Sequence, residues 1–105
     1  MKNDKNGVVQ TETSNIEMLD FYLPVGCPAC RTLEKFFDEL TFKYGHLNRI
    51  QKIDVLENKE LCDKYRILNA PTMIFLRDGE VIERIVGFDN TLKTKSQIEM
   101  LIFHS

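Results

Sequence analysis

The chain has no tryptophan, and only three cysteines, three prolines and five glycines among 105 residues. Three thiols, an odd count with two of them packed together, are not a disulfide framework. The fold must therefore rest on a hydrophobic core. At this length one domain is expected, burying roughly 60 to 70% of its unfolded surface. No apolar run approaches the roughly 20 residues needed to span a bilayer, and the polar stretch Met1 to Ser14 lacks the apolar core of a signal peptide. No partner membrane is expected, and the cytoplasm is the expected compartment. Neither sign of charge dominates: 14 basic residues face 16 acidic ones, for a net charge of −2. With no basic patch, nucleic acid is not expected as a partner. There is no glycine-rich phosphate loop, dinucleotide fingerprint, internal repeat or low-complexity segment, and no cofactor is expected.

What is present is concentrated in Cys27-Pro28-Ala29-Cys30. Positions i and i+3 share a helix face, so two thiols at this spacing can meet if a helix starts here. With Cys27 as N-cap, Pro28 takes the first helical position, where its missing N–H costs nothing and its φ is preset. The free N–H groups of Ala29 and Cys30 and the helix dipole then favour a thiolate at Cys27. The stretch reads as a device that makes one sulfur reactive and holds a second, more buried one within reach. Two plainer readings stand beside it: a pair of cysteines that only pack, and a metal site. The latter needs two more ligands, and Cys62, His46 and His104, the only other thiol or imidazole groups, form no second close pair. Cys62 is expected to be buried and inert on an apolar helix stripe.

The rest of the chain punctuates clearly. Glu17 to Leu23 is an apolar run closed by Pro24 and reads as a strand buried on both faces. Leu33, Phe36, Phe37, Leu40 and Tyr44 recur at helical spacing from Pro28 to Tyr44, with Gly45 as the stop. Arg49 to Val55 reads as a strand, Asn58 to Tyr65 as a shorter helix, and Thr72 to Leu76 as a strand. Arg77-Asp78-Gly79-Glu80 is a hairpin turn, Val81 to Val86 the returning strand, and Thr91 to Phe103 a final helix. Residues 1–15 read as a loosely ordered segment or a short edge strand at Val8-Val9, with Ser14 or Asn15 able to cap a turn of helix. Residues 16–105 form the domain. The pattern β-α-β-α-β-β-α gives an α/β class with helices on both faces of the sheet, its first two strands a right-handed parallel unit.

In this order the residues resemble the thioredoxin superfamily, on its thioredoxin rather than its glutaredoxin side. Three features carry the resemblance. The CxxC pair sits in a βαβ pattern, an association that is established general knowledge. Lys64-Tyr65-Arg66-Ile67-Leu68-Asn69-Ala70-Pro71-Thr72 is similar to the family's KYxIxxxPT stretch, with 41 positions from Cys30 to Pro71. Asp78-Gly79-Glu80-Val81 followed by Val86-Gly87 is similar to its hairpin and the glycine beyond it. The resemblance implies a thioredoxin-like fold with a central mixed sheet of about four strands, the third antiparallel to the first. It also implies a cis Pro71 against the cysteines and a substrate segment pairing with the backbone of Ala70.

The implied activity is reduction of protein disulfides through a Cys27/Cys30 dithiol–disulfide cycle. The expected surface around Cys27 comprises Val25, Gly26, Pro28, Ala70, Pro71, Thr72, Gly87 and Phe88. The implied partners are disulfide-containing proteins and a reductase or small-thiol electron donor, with the protein acting as a monomer. A glutaredoxin-like, glutathione-coupled enzyme and a non-catalytic binding module of the same fold are the alternatives. Three departures bear on this. Gly26 stands where the family has a tryptophan, and the dipeptide between the cysteines is Pro-Ala. The family's buried acid, six residues before the first cysteine, is replaced by Phe21, with Asp20 one residue early. One residue along a strand is the opposite face, so Asp20 is either a solvated strand-end acid or a displaced internal base. Lys52 falls where the family has a lysine near that acid, which makes Asp20 and Lys52 candidates for proton acceptance or pKa tuning.

Overall fold

The structure is a computed structural model, which describes residues 16–45 and 49–103. The expected N-terminal segment, the Val8-Val9 strand, the cap at Ser14 or Asn15, His46 and His104 lie outside the described residues. Seven elements follow in the expected order. They are β1 (Ile16–Tyr22), α1 (Pro28–Tyr44), β2 (Ile50–Asp54), α2 (Lys59–Tyr65), β3 (Thr72–Arg77), β4 (Glu80–Val86) and α3 (Leu92–Phe103). α1 matches its expected range, and the other elements differ from theirs by no more than one residue at either end.

The sheet order is β2-β1-β3-β4. β1 and β2 are parallel, with Asp20 opposite Lys52, and α1 makes the crossover between them. β3 is antiparallel to β1 and to β4. The β3–β4 connection is tight because Asp78 and Gly79 both take positive φ, 52° and 86°, as a two-residue hairpin turn requires.

Alternation along β1 distributes its side chains between two cores. Ile16 and Met18 pack with Met73 and Phe75 of β3 under Leu33, Phe36, Phe37 and Leu40 of α1 and Ile98 and Ile102 of α3. Leu19 and Phe21 point the other way, to Ile53, Ile74 and Leu76, where α2 contributes Leu61, Cys62 and Tyr65. Helices thus cover both faces, as expected.

Helix ends follow local chemistry. The Gly45 N–H donates to Thr41 O at 2.7 Å from a φ of 89°. The hydroxyl of Thr91 accepts from the Thr94 N–H at 3.1 Å to start α3. Two expectations need correction. Cys62 is half-buried rather than buried, because α2 is short and sinks none of its residues fully. Tyr44 lies at the far end of its stripe, partly exposed, and stacks on Phe103 with centroids 3.9 Å apart.

The two-core arrangement makes Phe75 central and leaves Phe42 almost wholly in solvent. Phe75→Ala is expected to cost about 3–5 kcal/mol in denaturant unfolding. Phe42→Ala should stay within about 0.5 kcal/mol.

Candidate active site

The site is built where α1 begins. Cys27 caps the helix, Pro28 occupies its first turn, and the backbone N–H of Cys30 donates to Cys27 Sγ at 3.2 Å. The two cysteines are joined as a disulfide with Cα atoms 5.3 Å apart, within the ordinary range for such a bond. The expectation that Cys30 is the more buried of the two is not met: Cys27 is 8% and Cys30 9% exposed. What distinguishes them is position. Cys27 sits at the positive end of the helix and receives an N–H. Cys30 lies one turn in, on the same stripe as Leu33 and Phe37 that faces the sheet.

A second element meets the first. The Ala70–Pro71 peptide is cis, and Ala70 O lies 3.7 Å from Cys27 Sγ. The loop is held from both sides: Gly87 N–H donates to Pro71 O at 2.7 Å, and the Thr72 hydroxyl donates to Asn69 O at 2.6 Å. Of the residues expected around Cys27, Val25, Gly26 and Pro28 are exposed, and Ala70 and Gly87 are partly so. Pro71 and Thr72 are buried. With its hydroxyl engaged by Asn69, Thr72 supports the loop from below and presents no surface. Phe88 is likewise internal, stacked on Phe36 at 5.8 Å.

Asp20 departs most from the sequence reading. It is 3% exposed, within β1, and shares the α1-facing side with Met18. It is therefore not a solvated strand-end acid. The extra residue between it and Cys27 is absorbed in the loop Leu23-Pro24-Val25-Gly26, and the alternation of the strand is intact. Gly26 takes φ 71° there, a left-handed backbone that a bulky side chain disfavours, although nothing lies within 4 Å of a Cβ built at that position. This accounts for a glycine where the family pattern has tryptophan.

Asp20 Oδ1 has no hydrogen-bond partner among the described residues. Burial pushes its pKa up from 3.8 to about 7; Lys52 opposes that rise and Glu34 adds to it. Lys52, opposite Asp20 in the sheet, donates instead to Glu34 Oε2 at 2.8 Å. Periodicity places Glu34 simply on the solvent side of α1. Eighteen positions separate it from Lys52, so no local spacing signals the pair.

Beside Ala70 an open groove of about 310 Å³ is lined by Leu23, Val55, Cys62, Ile67, Leu68 and Asn69. Burial pushes the Cys62 thiol up, with the Asp63 charge adding to it, so this thiol is poorly reactive. Among the described residues no cluster of three His, Cys, Asp or Glu side chains is arranged to hold a metal ion.

The thioredoxin family model matches residues 2–100. The chain belongs to the thioredoxin family. It is 38% identical to a thioredoxin of Bacillus subtilis over 92 residues, covering 87% of this chain and 84% of that one. It is 33% identical to a Staphylococcus epidermidis thioredoxin over 75 residues, 71% of each. Among solved structures it superposes on a single-site mutant of a thioredoxin from Halobacterium salinarum at a TM-score of 0.69. That pair is 29% identical over 91% of this chain and 82% of the other. This thioredoxin-family protein is a thiol–disulfide oxidoreductase, a protein-disulfide reductase with Cys27 and Cys30 as its redox-active pair. It acts on disulfide-containing proteins. No described helix is long and apolar enough to cross a membrane.

The raised Asp20 carboxyl predicts a pH-dependent stability. Between its ordinary 3.8 and about 7 the folded chain holds a proton that the unfolded chain has released. Stability therefore falls as pH rises through that window. Asp20→Asn removes the effect: in urea unfolding it should be about 4 kcal/mol more stable than wild type at pH 8 and close to it at pH 4. Equal differences at both pH values would show that the acid is not buried uncompensated.

Proposed function

We propose that Cys27 is the attacking thiol, Cys30 the resolving thiol and Asp20 the proton acceptor for Cys30. The observation that carries the assignment is the Cys30 N–H donated to Cys27 Sγ at the helix N-terminus. A donor and a positive dipole end aimed at one sulfur stabilise its anion and leave the other as a thiol.

In the reaction the Cys27 thiolate attacks one sulfur of a substrate disulfide, forming a mixed disulfide and releasing the first substrate thiolate. Cys30 gives its proton to Asp20 and attacks Cys27 Sγ. The Cys27–Cys30 bond forms, the mixed disulfide breaks, and the second substrate thiolate leaves. Two electrons have passed from the dithiol to the substrate; the reductase partner returns them. A small thiol is the alternative donor.

The substrate segment pairs as an extended strand with the backbone at Ala70; Gly26 and Gly87 leave room for it because they carry no side chain, and Pro28 offers an exposed, uncharged apolar surface. The groove beside Ala70, with Leu68 exposed at its rim, takes an apolar residue flanking the substrate cysteine. Pro71 and Thr72 contribute by holding that backbone in place. The protein works as a monomer in the cytoplasm, where a reducing thiol pool keeps such pairs cycling.

Single-cysteine variants test the assignment. In Cys30→Ser, Cys27 should alkylate with a midpoint at or below about pH 7, against about 8.5 for a free thiol. The same variant should trap substrate as a stable mixed disulfide, whereas Cys27→Ser should trap none. A Cys27 midpoint equal to that of a free thiol would remove the activation argument. Insulin reduction should proceed with dithiothreitol as donor and run far slower with glutathione. Comparable rates would favour the glutathione-coupled reading.

A further inference from the structure

Asp20 has one charged neighbour on each of two elements. Lys52 faces it across the β1–β2 ladder, and Glu34 lies above on α1, one turn beyond Cys30. Both act on its carboxyl, in opposite directions. The remaining groups on that side are Met18 and Tyr22 on β1, Met73 opposite in β3, Cys30 on α1, and Ile98 and Ile102 on α3. None of these is an Asp, Glu, Lys, Arg or His. The electrostatic surroundings of the buried acid therefore reduce to Lys52 and Glu34.

Those two are not independent. Lys52 Nζ is 2.8 Å from Glu34 Oε2, with side chains 42% and 57% exposed. An ion pair so open to water contributes little to stability. Together with the Tyr22 ring, whose centroid is 5.7 Å from Lys52 Nζ, it sets where the ammonium rests. Glu34 draws it outward to the rim between helix and sheet, and Asp20 Oδ1 stays without a partner beneath it.

We infer that Glu34 is a positioning residue for the exchange reaction: by holding Lys52 at the rim it limits how much of that positive charge reaches Asp20. The buried carboxylate thereby binds a proton more tightly, so the strength of Asp20 as a base toward Cys30 is set from the protein surface. In functional terms this inference rests on the proton-acceptor reading of Asp20. Its test does not, because it reads the carboxyl directly.

The test is a ¹³C-carboxyl NMR titration of Asp20 in the oxidised full chain, in wild type, Glu34→Gln, Lys52→Met and the double variant. The substitutions are at exposed positions, so the fold is retained. Glu34→Gln should weaken proton binding at Asp20 about two- to fivefold, since it removes a like charge and frees the ammonium to turn inward. Lys52→Met should strengthen it. In the Lys52→Met background, adding Glu34→Gln should produce less than half the change that it makes alone. An unmoved midpoint in Glu34→Gln, or equal changes in both backgrounds, would overturn the inference. Failure of the acceptor reading looks different: Asp20→Asn would then leave the rate of Cys30 attack on a trapped mixed disulfide unchanged.

Discussion

The seating of α1 on the sheet governs everything at the site. Leu33, Phe36, Phe37 and Leu40 lock onto Met18, Met73 and Phe75. That contact is apolar and broad, so it fixes the helix without directing it chemically. Its product is geometric. The helix's N-terminus, with its unsatisfied N–H groups, is brought to the loop that ends at Pro71. Cys27 takes its electrostatics from its own helix and its neighbour from the approach to β3. Neither element alone brings the Cys27 sulfur against the backbone of the cis-Pro71 loop.

The same packing creates the site's main cost. A carboxyl in β1 is covered by α1 and left short of hydrogen bonds, although a lysine stands opposite it in the ladder. Burying an acid without a partner disfavours its charged form. A fold selected only for stability would place an apolar residue there. Under the proposed mechanism the retained acid is the group that takes the proton of Cys30.

Much of this is legible in the residues. Cysteines three apart with a proline between them specify a helix start and a bond across one turn. The Asp78-Gly79 pair specifies the hairpin. The direction of β3 against β1 and the cis peptide before Pro71 come from family resemblance, since periodicity is silent on both. Asp20 resists the sequence for a physical reason. Counting back from Cys27 assumes a loop of fixed length, whereas a strand pinned by Met18 on one face and Phe21 on the other keeps its register and leaves the loop to absorb an extra residue. Thr72 and Phe88 read as surface because sequence proximity to the site does not reveal which way a side chain turns. Glu34 stays hidden because a helix-to-strand contact across 18 positions leaves no local trace.

β3 is flanked by β1 and β4 and buried along nearly its whole length, and the backbone at Ala70, proposed above to receive the substrate segment, runs directly into it. Amides in such a strand exchange with solvent only when the whole domain opens. The proposed docking edge is thus anchored in the slowest-opening part of the molecule rather than in a loop free to fray. Denaturation and loss of substrate recognition should then be one event, with no partly opened form that keeps its fold but forgets its partners.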